Sequence, residues 1–177
     1  LLFVAQFSAM IIEPIVTLYI STLPSVSPEN LATQAGLIFA AAGFASLIAA
    51  PIWGRLGDRT GHYKRIVGLA LLGASLVYFP QGLVRSPQEL LILRFLLGIF
   101  NAATAPAVFA IIAAVVPQNR QGGAFGLTAT PIMLGNVIGP LAGGALQAVF
   151  GFRSIFFVTG TLLFLVAVAV FRVVQDP

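Results

Sequence analysis

Gly54-Arg55-Leu56-Gly57-Asp58-Arg59-Thr60-Gly61-His62-Tyr63-Lys64-Arg65 is the densest run of charge in the chain. It separates two stretches without a charged side chain, residues 31–53 and 66–84. Each is long enough to cross a bilayer as a helix, which takes roughly 20 apolar residues. A short connector carrying Arg55, Arg59, Lys64 and Arg65 resists translocation. The segment is therefore placed on the cytoplasmic side, and that placement fixes the side of every other connector.

Composition excludes a soluble fold. The chain has 177 residues, a mean hydropathy of +1.03 and 8% charged residues, where a soluble domain carries about 25%. The sequence pI of 10.4 rests on nine Lys/Arg against five Asp/Glu. These cations sit at the ends of apolar runs and form no dense basic face, so the excess reports topology, and no nucleic-acid partner is expected. There is no Cys, hence no disulfide and no thiolate chemistry.

Working outward from the charged segment, six apolar runs follow one another: residues 1–23, 31–53, 66–84, 90–116, 124–149 and 154–173. Their continuous apolarity predicts spanning helices. Barrel strands alternate in polarity over about ten residues, and these runs do not. The fold class is therefore an all-α membrane protein, a single six-helix transmembrane bundle over residues 1–177. The connectors carry turn chemistry at Pro24 and Pro28, Ser86-Pro87, Pro117 with Gly122-Gly123, and Gly151. Gly54, Gly57 and Gly61 are suited to tight turns with positive φ. The first run contains Glu13-Pro14 and no basic segment precedes it, so it is expected to span rather than be cleaved as a signal. The chain opens at Leu1 inside an apolar run and stops at Gln175-Asp176-Pro177, as a trimmed piece of a longer chain would.

With residues 54–65 inside, the inner connectors hold Arg55, Arg59, Lys64, Arg65, Arg120 and Arg172, and the outer ones hold Arg85 and Arg153. That bias agrees with the positive-inside rule. Both chain ends are then cytoplasmic in a multi-pass protein of the inner (plasma) membrane. A shift of ninety residues superposes Gly36-Leu37 on Gly126-Leu127, Gly54 on Gly144, Leu56 on Leu146 and Gly61 on Gly151. The implied units are residues 1–84 and 88–177, two three-helix repeats of opposite direction, an arrangement found in secondary transporters.

Two charges remain inside the runs, Glu13 and Arg94. Each costs roughly 2.5–3.5 kcal/mol at a helix centre, so both should face protein or water. They fall within about two helical turns of one another in depth, and an Arg side chain closes much of that gap if their helices are neighbours. An apolar setting disfavours the ionised carboxylate, which suits Glu13 to taking up and releasing a proton. A cationic substrate and a proton would then compete for it. A carboxylate held by a structural hydrogen bond, and an arginine snorkelling to headgroups, are the alternatives. Tyr19, Phe39, Phe44, Asn101, Phe109, Met133 and Asn136 are candidates for lining an apolar substrate pocket with sparse polar handles. No catalytic Ser/His/Asp set appears, residues 57–61 lack the strand and Lys of a nucleotide loop, and His62 has no metal-ligand companion. No enzyme activity, metal or cofactor is expected.

Three stretches carry a resemblance. Gly54, Leu56, Asp58, Arg59 and Gly61, with basic residues after them, resemble the helix 2–3 loop motif of the major facilitator superfamily. His62 and Tyr63 depart from it, and Lys64 and Arg65 supply the charge slightly later. Gly126, Gly135, Gly139-Pro140 and Gly143 resemble the antiporter motif of that family's drug:proton antiporter branch. Gly135, Gly139 and Gly143 recur every four residues, so one helix face admits a close neighbour, and Pro140 should bend that helix. Arg94 and Gly98 are similar to the family's helix 4 motif. The resemblance implies the N-terminal six-helix half of a transporter working by alternating access. Its partners would be the lipid bilayer, a small-molecule substrate, protons, and a second six-helix half or a second copy of the chain. It ties Arg94 to proton transfer, and Glu13, read from its apolar setting, joins it as the proton-coupling pair. It assigns Gly54, Leu56, Asp58, Arg59, Gly61, Lys64 and Arg65 to a conformational latch. Proton-coupled drug efflux is the expected activity. A metabolite facilitator or symporter, or a non-transporting membrane interaction module, are the other readings.

Overall fold

The structure, a computed structural model, describes residues 2–24 and 26–173. Gln175-Asp176-Pro177, at which the chain stops, lie outside the described residues. The described residues are mostly helical, with no strand among them. The helices are α1 (Leu2–Ser21), α2 (Leu31–Thr60), α3 (Tyr63–Gln81), α4 (Pro87–Asn101), α5 (Thr104–Val115) and α6 (Gln121–Val173), with a single 3-10 turn at Gln118–Arg120 before α6. Among the described residues, Leu2–Ser21, Leu31–Thr60, Pro87–Val115 and Gln118–Val173 are long and apolar enough to cross a membrane. The last holds two of the six runs, because α6 breaks at Gly151 (φ 78°, ψ 174°) into limbs 121–150 and 152–173. Helix α3 is shorter and opens on Lys64 and Arg65.

The charged segment is mostly not a loop. Helix α2 runs through Gly54 and Gly57 to Thr60 and ends only at Gly61 (φ 66°), whose N–H donates to the Gly57 carbonyl. Positive φ belongs to Gly61 and Gly151 alone among the described residues, so the expectation of turns at Gly54 and Gly57 is corrected. The reason at Gly57 is space: a Cβ there would stand 2.5 Å from the Tyr63 ring. Gly122 and Gly123, expected as a connector, lie inside α6.

The fourth run, expected as one helix, is also divided. Pro106 has no N–H to give the Ala102 carbonyl, and its ring crowds that carbonyl. The chain tightens so that the Ala103 N–H donates to Phe100 O. This leaves the Ile99 carbonyl to accept from Trp53 Nε1 at 2.8 Å, while Ser46 Oγ donates to Gly98 O at 2.8 Å. Both donors come from α2, so the broken backbone is satisfied from within the bundle, as the hydrocarbon layer requires. The start of α4 is capped in the ordinary way: Ser86 Oγ accepts from the Glu89 N–H, and Pro87 follows it.

Packing is set by small residues. Helix α1 lies on α6, where Cβ atoms at Gly135, Gly139 and Gly143 would strike Phe7, Met10 and Ile11. Helix α2 lies on α4, where a Cβ at Gly98 would strike the Ala42 carbonyl. Helix α3 lies on the 152–173 limb, with Ser75 Oγ donating to Gly160 O at 2.7 Å. The core between them is apolar, built on Ile11, Ile12, Val16, Ile38, Leu90, Leu97, Ile155 and Phe156. One end of the bundle carries Lys64, Arg65 and the end of α6 about one groove. The other carries Tyr19, Val84, Arg85 and Arg153 about another.

Candidate functional site

Glu13 and Arg94 meet. Arg94 Nη1 donates to Glu13 Oε1 at 3.3 Å, although their helices are not principal packing neighbours. The environments differ sharply: the Arg94 side chain is 2% exposed and that of Glu13 is 38% exposed. The guanidinium lies 5.8 Å from the centroid of the Phe39 ring, within cation–π range. Its Nε and Nη2 atoms are buried without a hydrogen-bond partner. This is the only ion pair among the described residues.

The exposed side of Glu13 faces a cavity of roughly 350 Å³ lined by residues of α1, α3, α5 and both limbs of α6, together with Asn101 at the end of α4. Asn101 and Phe109 line it, as do Gln6, Met10 and Tyr78. Of the other pocket candidates, Phe39 sits beneath Arg94, and Asn136 Oδ1 accepts from Gln6 Nε2 at 2.8 Å. Tyr19 is elsewhere: its ring packs on Phe152 and Phe156 at the far end of the bundle. Phe44 and Met133 are exposed on the outer surface of the described chain. Sequence reasoning passed over Tyr78, which is fully buried and borders the cavity beside Glu13. The available signal was a lone phenol in the middle of an apolar run. It also passed over Gln6, the sole amide in the first run.

The stripe on α6 is explained by its neighbour. Gly135, Gly139 and Gly143 are buried against the α1 backbone between Gln6 and Ile11, the stretch that leads into the turn bearing Glu13. They bring that backbone close and fix the height of the carboxylate. Gly126 and Gly144 face open space. The helix continues through Pro140 and departs from helical φ/ψ only at Gly151.

Around the α2–α3 link, the Tyr63 hydroxyl donates to Asp58 Oδ1 at 2.8 Å. That bond holds the phenol above its ordinary ionisation range, because the neutral hydroxyl is the form that donates to the carboxylate. Leu56, Arg59 and Arg65 are exposed, and Lys64 is half-buried. Asp58 is thus tied to Tyr63, while Lys64 and Arg65 lie on the first turn of α3. Among the described residues, no group of three or more His, Cys, Asp or Glu is gathered for a metal ion.

A family model described as the Major Facilitator Superfamily matches residues 1–177. The "Uncharacterized MFS-type transporter YuxJ" of Bacillus subtilis (strain 168) is 40% identical over 153 residues, 86% of this chain and 38% of that protein. The "Multi-drug resistance efflux pump PmrA homolog" of Lactococcus lactis subsp. lactis is 36% identical, covering 93% of this chain and 40% of that one. The "Multidrug resistance protein MdtG" of Dickeya zeae is 36% identical, covering 97% and 41%. The chain therefore spans about two fifths of the length of these curated relatives. In fold it is similar to a crystallised bacterial homologue of the human lysosomal transporter Spinster, in an inward-facing and occupied conformation. The TM-score is 0.77 at 22% identity, over 99% of this chain and 42% of that one.

Proposed function

The chain belongs to the Major Facilitator Superfamily, and on that footing we propose that it forms the N-terminal six-helix half of a proton-coupled exporter of drugs or similar amphipathic molecules. The complete unit adds a second six-helix half or a second copy, since alternating access needs two bodies to rock about a central site. It lies in the inner membrane with residues 54–65 and both chain ends on the cytoplasmic side. The names of the efflux relatives support the substrate class.

The observation that carries the reading is the asymmetry of the Glu13–Arg94 pair. Glu13 faces the cavity, where a proton or a cationic substrate can reach it, and Arg94 is held behind it out of water. A proton on Glu13 removes the charge that compensates the guanidinium. The buried guanidinium is then left uncompensated, an unfavourable state, with the Phe39 ring 5.8 Å away as a weaker partner. The protonated state is therefore driven to a different arrangement of helices. An organic cation entering the cavity competes with the proton for the same carboxylate, so inward proton movement is tied to outward substrate movement. Asn101 and Phe109 supply a polar handle and an aromatic wall.

The test is Glu13→Gln in the complete protein, assayed in everted vesicles for drug movement driven by a pH gradient. The expected result is loss of gradient-driven movement with correct insertion and unchanged yield. Movement that keeps its pH dependence in this variant would refute the coupling role. Movement down a substrate gradient without proton flux in the unaltered protein would favour a facilitator.

A further inference from the structure

A groove between α3 and the 152–173 limb of α6 encloses about 340 Å³ and is lined by Lys64, Arg65, Leu69 and Phe171. Its floor depends on Gly68: a Cβ there would collide with the Phe171 ring, so the glycine lets that ring lie across α3. Leu69 and Phe171 are both exposed, and the two cations stand at the groove's charged end. Neither cation forms an ion pair among the described residues. The nearest acid in sequence, Asp58, already accepts from the Tyr63 hydroxyl. Adjacent cations repel unless an anion lies between them. His62 lies in the α2–α3 link, and Lys64 and Arg65 fall on the first turn of α3.

We propose that this groove binds an anionic phospholipid of the leaflet at this end of the bundle. Its phosphate sits between Lys64 and Arg65, and one acyl chain lies along Leu69 and Phe171. The cations and the apolar floor call for one amphiphile that carries both complements. Charge-assisted contacts to phosphate are strong, and basic pockets on the cytoplasmic side are suited to anionic headgroups. A free phosphate ion would leave the apolar floor unused. This site stands apart from Glu13 and Arg94, so its failure would leave the coupling proposal intact.

Native mass spectrometry of the complete protein, released from micelles with added phosphatidylglycerol or phosphatidylcholine, reads the site directly. The unaltered protein should retain phosphatidylglycerol in preference. The Lys64→Gln/Arg65→Gln variant should lose that preference by about 30-fold, the worth of two basic contacts at a membrane surface. The charge-conserving Lys64→Arg/Arg65→Lys variant should keep it, which separates recognition from misfolding. Replacing Arg55 and Arg120 by Gln, cations outside the groove, should leave retention unchanged. Three results would each overturn the proposal: equal retention of both lipids, undiminished retention in the Gln variant, or displacement of the lipid by excess inorganic phosphate. An equal loss on replacing Arg55 and Arg120 would also overturn it, by reducing the effect to overall charge.

Discussion

Arg94 is held in a costly position: its side chain is 2% exposed, with two unpartnered nitrogens and one carboxylate contact. Glu13→Ala should therefore destabilise the protein, while Glu13→Ala combined with Arg94→Met should recover part of the loss. The expected coupling is about 1–2 kcal/mol, short of the top of the range for contacting residues, because solvent screens the exposed side of Glu13. Unfolding midpoints in detergent for the two single variants and the double variant give this number. Additive effects would mean that the 3.3 Å contact contributes nothing. These two residues were legible in the sequence because charge inside an apolar run is expensive and therefore rare. Tyr78, Gln6 and the place of Phe39 were not. Which way a side chain points depends on how its helix is rotated against its neighbours, and an apolar run with weak polarity contrast does not encode that rotation.

At the scale of the element, glycines of one helix do unlike jobs. Gly143 is buried with the Ile11 carbonyl against it, while Gly144 faces open space. Gly143→Ala should cost about 1–3 kcal/mol by forcing α1 and α6 apart. Gly144→Ala should be neutral or slightly stabilising, since Ala is favoured over Gly inside a helix by up to about 1 kcal/mol. Thermal unfolding of the two variants in one detergent compares them. Equal effects would remove the close α1–α6 contact from the account. The four-residue spacing of Gly135, Gly139 and Gly143 made this face readable in advance, though not its partner. Helix ends were less readable. Gly54 and Gly57 look like turn residues, yet α2 runs through both and ends only at Gly61, the one of the three with positive φ. The break after Asn101 went unread because the satisfaction of the freed Ile99 carbonyl comes from Trp53, forty-six residues away.

Across the whole molecule, the close contacts repeat. Helix α1 meets the first limb of α6 through glycine, and α4 meets α2 through Gly98. The first and second helices of the two trios thus exchange partners, while the third of each, α3 and the 152–173 limb, face one another. The two left-handed residues, Gly61 and Gly151, stand at equivalent junctions. Two three-helix units of opposite direction, as the ninety-residue sequence offset led us to propose, would pack in this way. The orientation proposed from charge can be tested by single cysteines placed in these 177 residues, which contain none. In intact cells an impermeant maleimide should label Phe150→Cys, whereas His62→Cys should react only after the cells are opened. The reverse pattern would overturn the assignment of sides.

The claim that one carboxylate serves both proton and substrate is tested most directly by the pH change when a lipophilic cation such as tetraphenylphosphonium is added to the complete protein in unbuffered detergent solution. Release of protons by the unaltered protein, absent in Glu13→Gln, is the predicted result. Equal release from both proteins, or binding of the cation with no release from either, would contradict it.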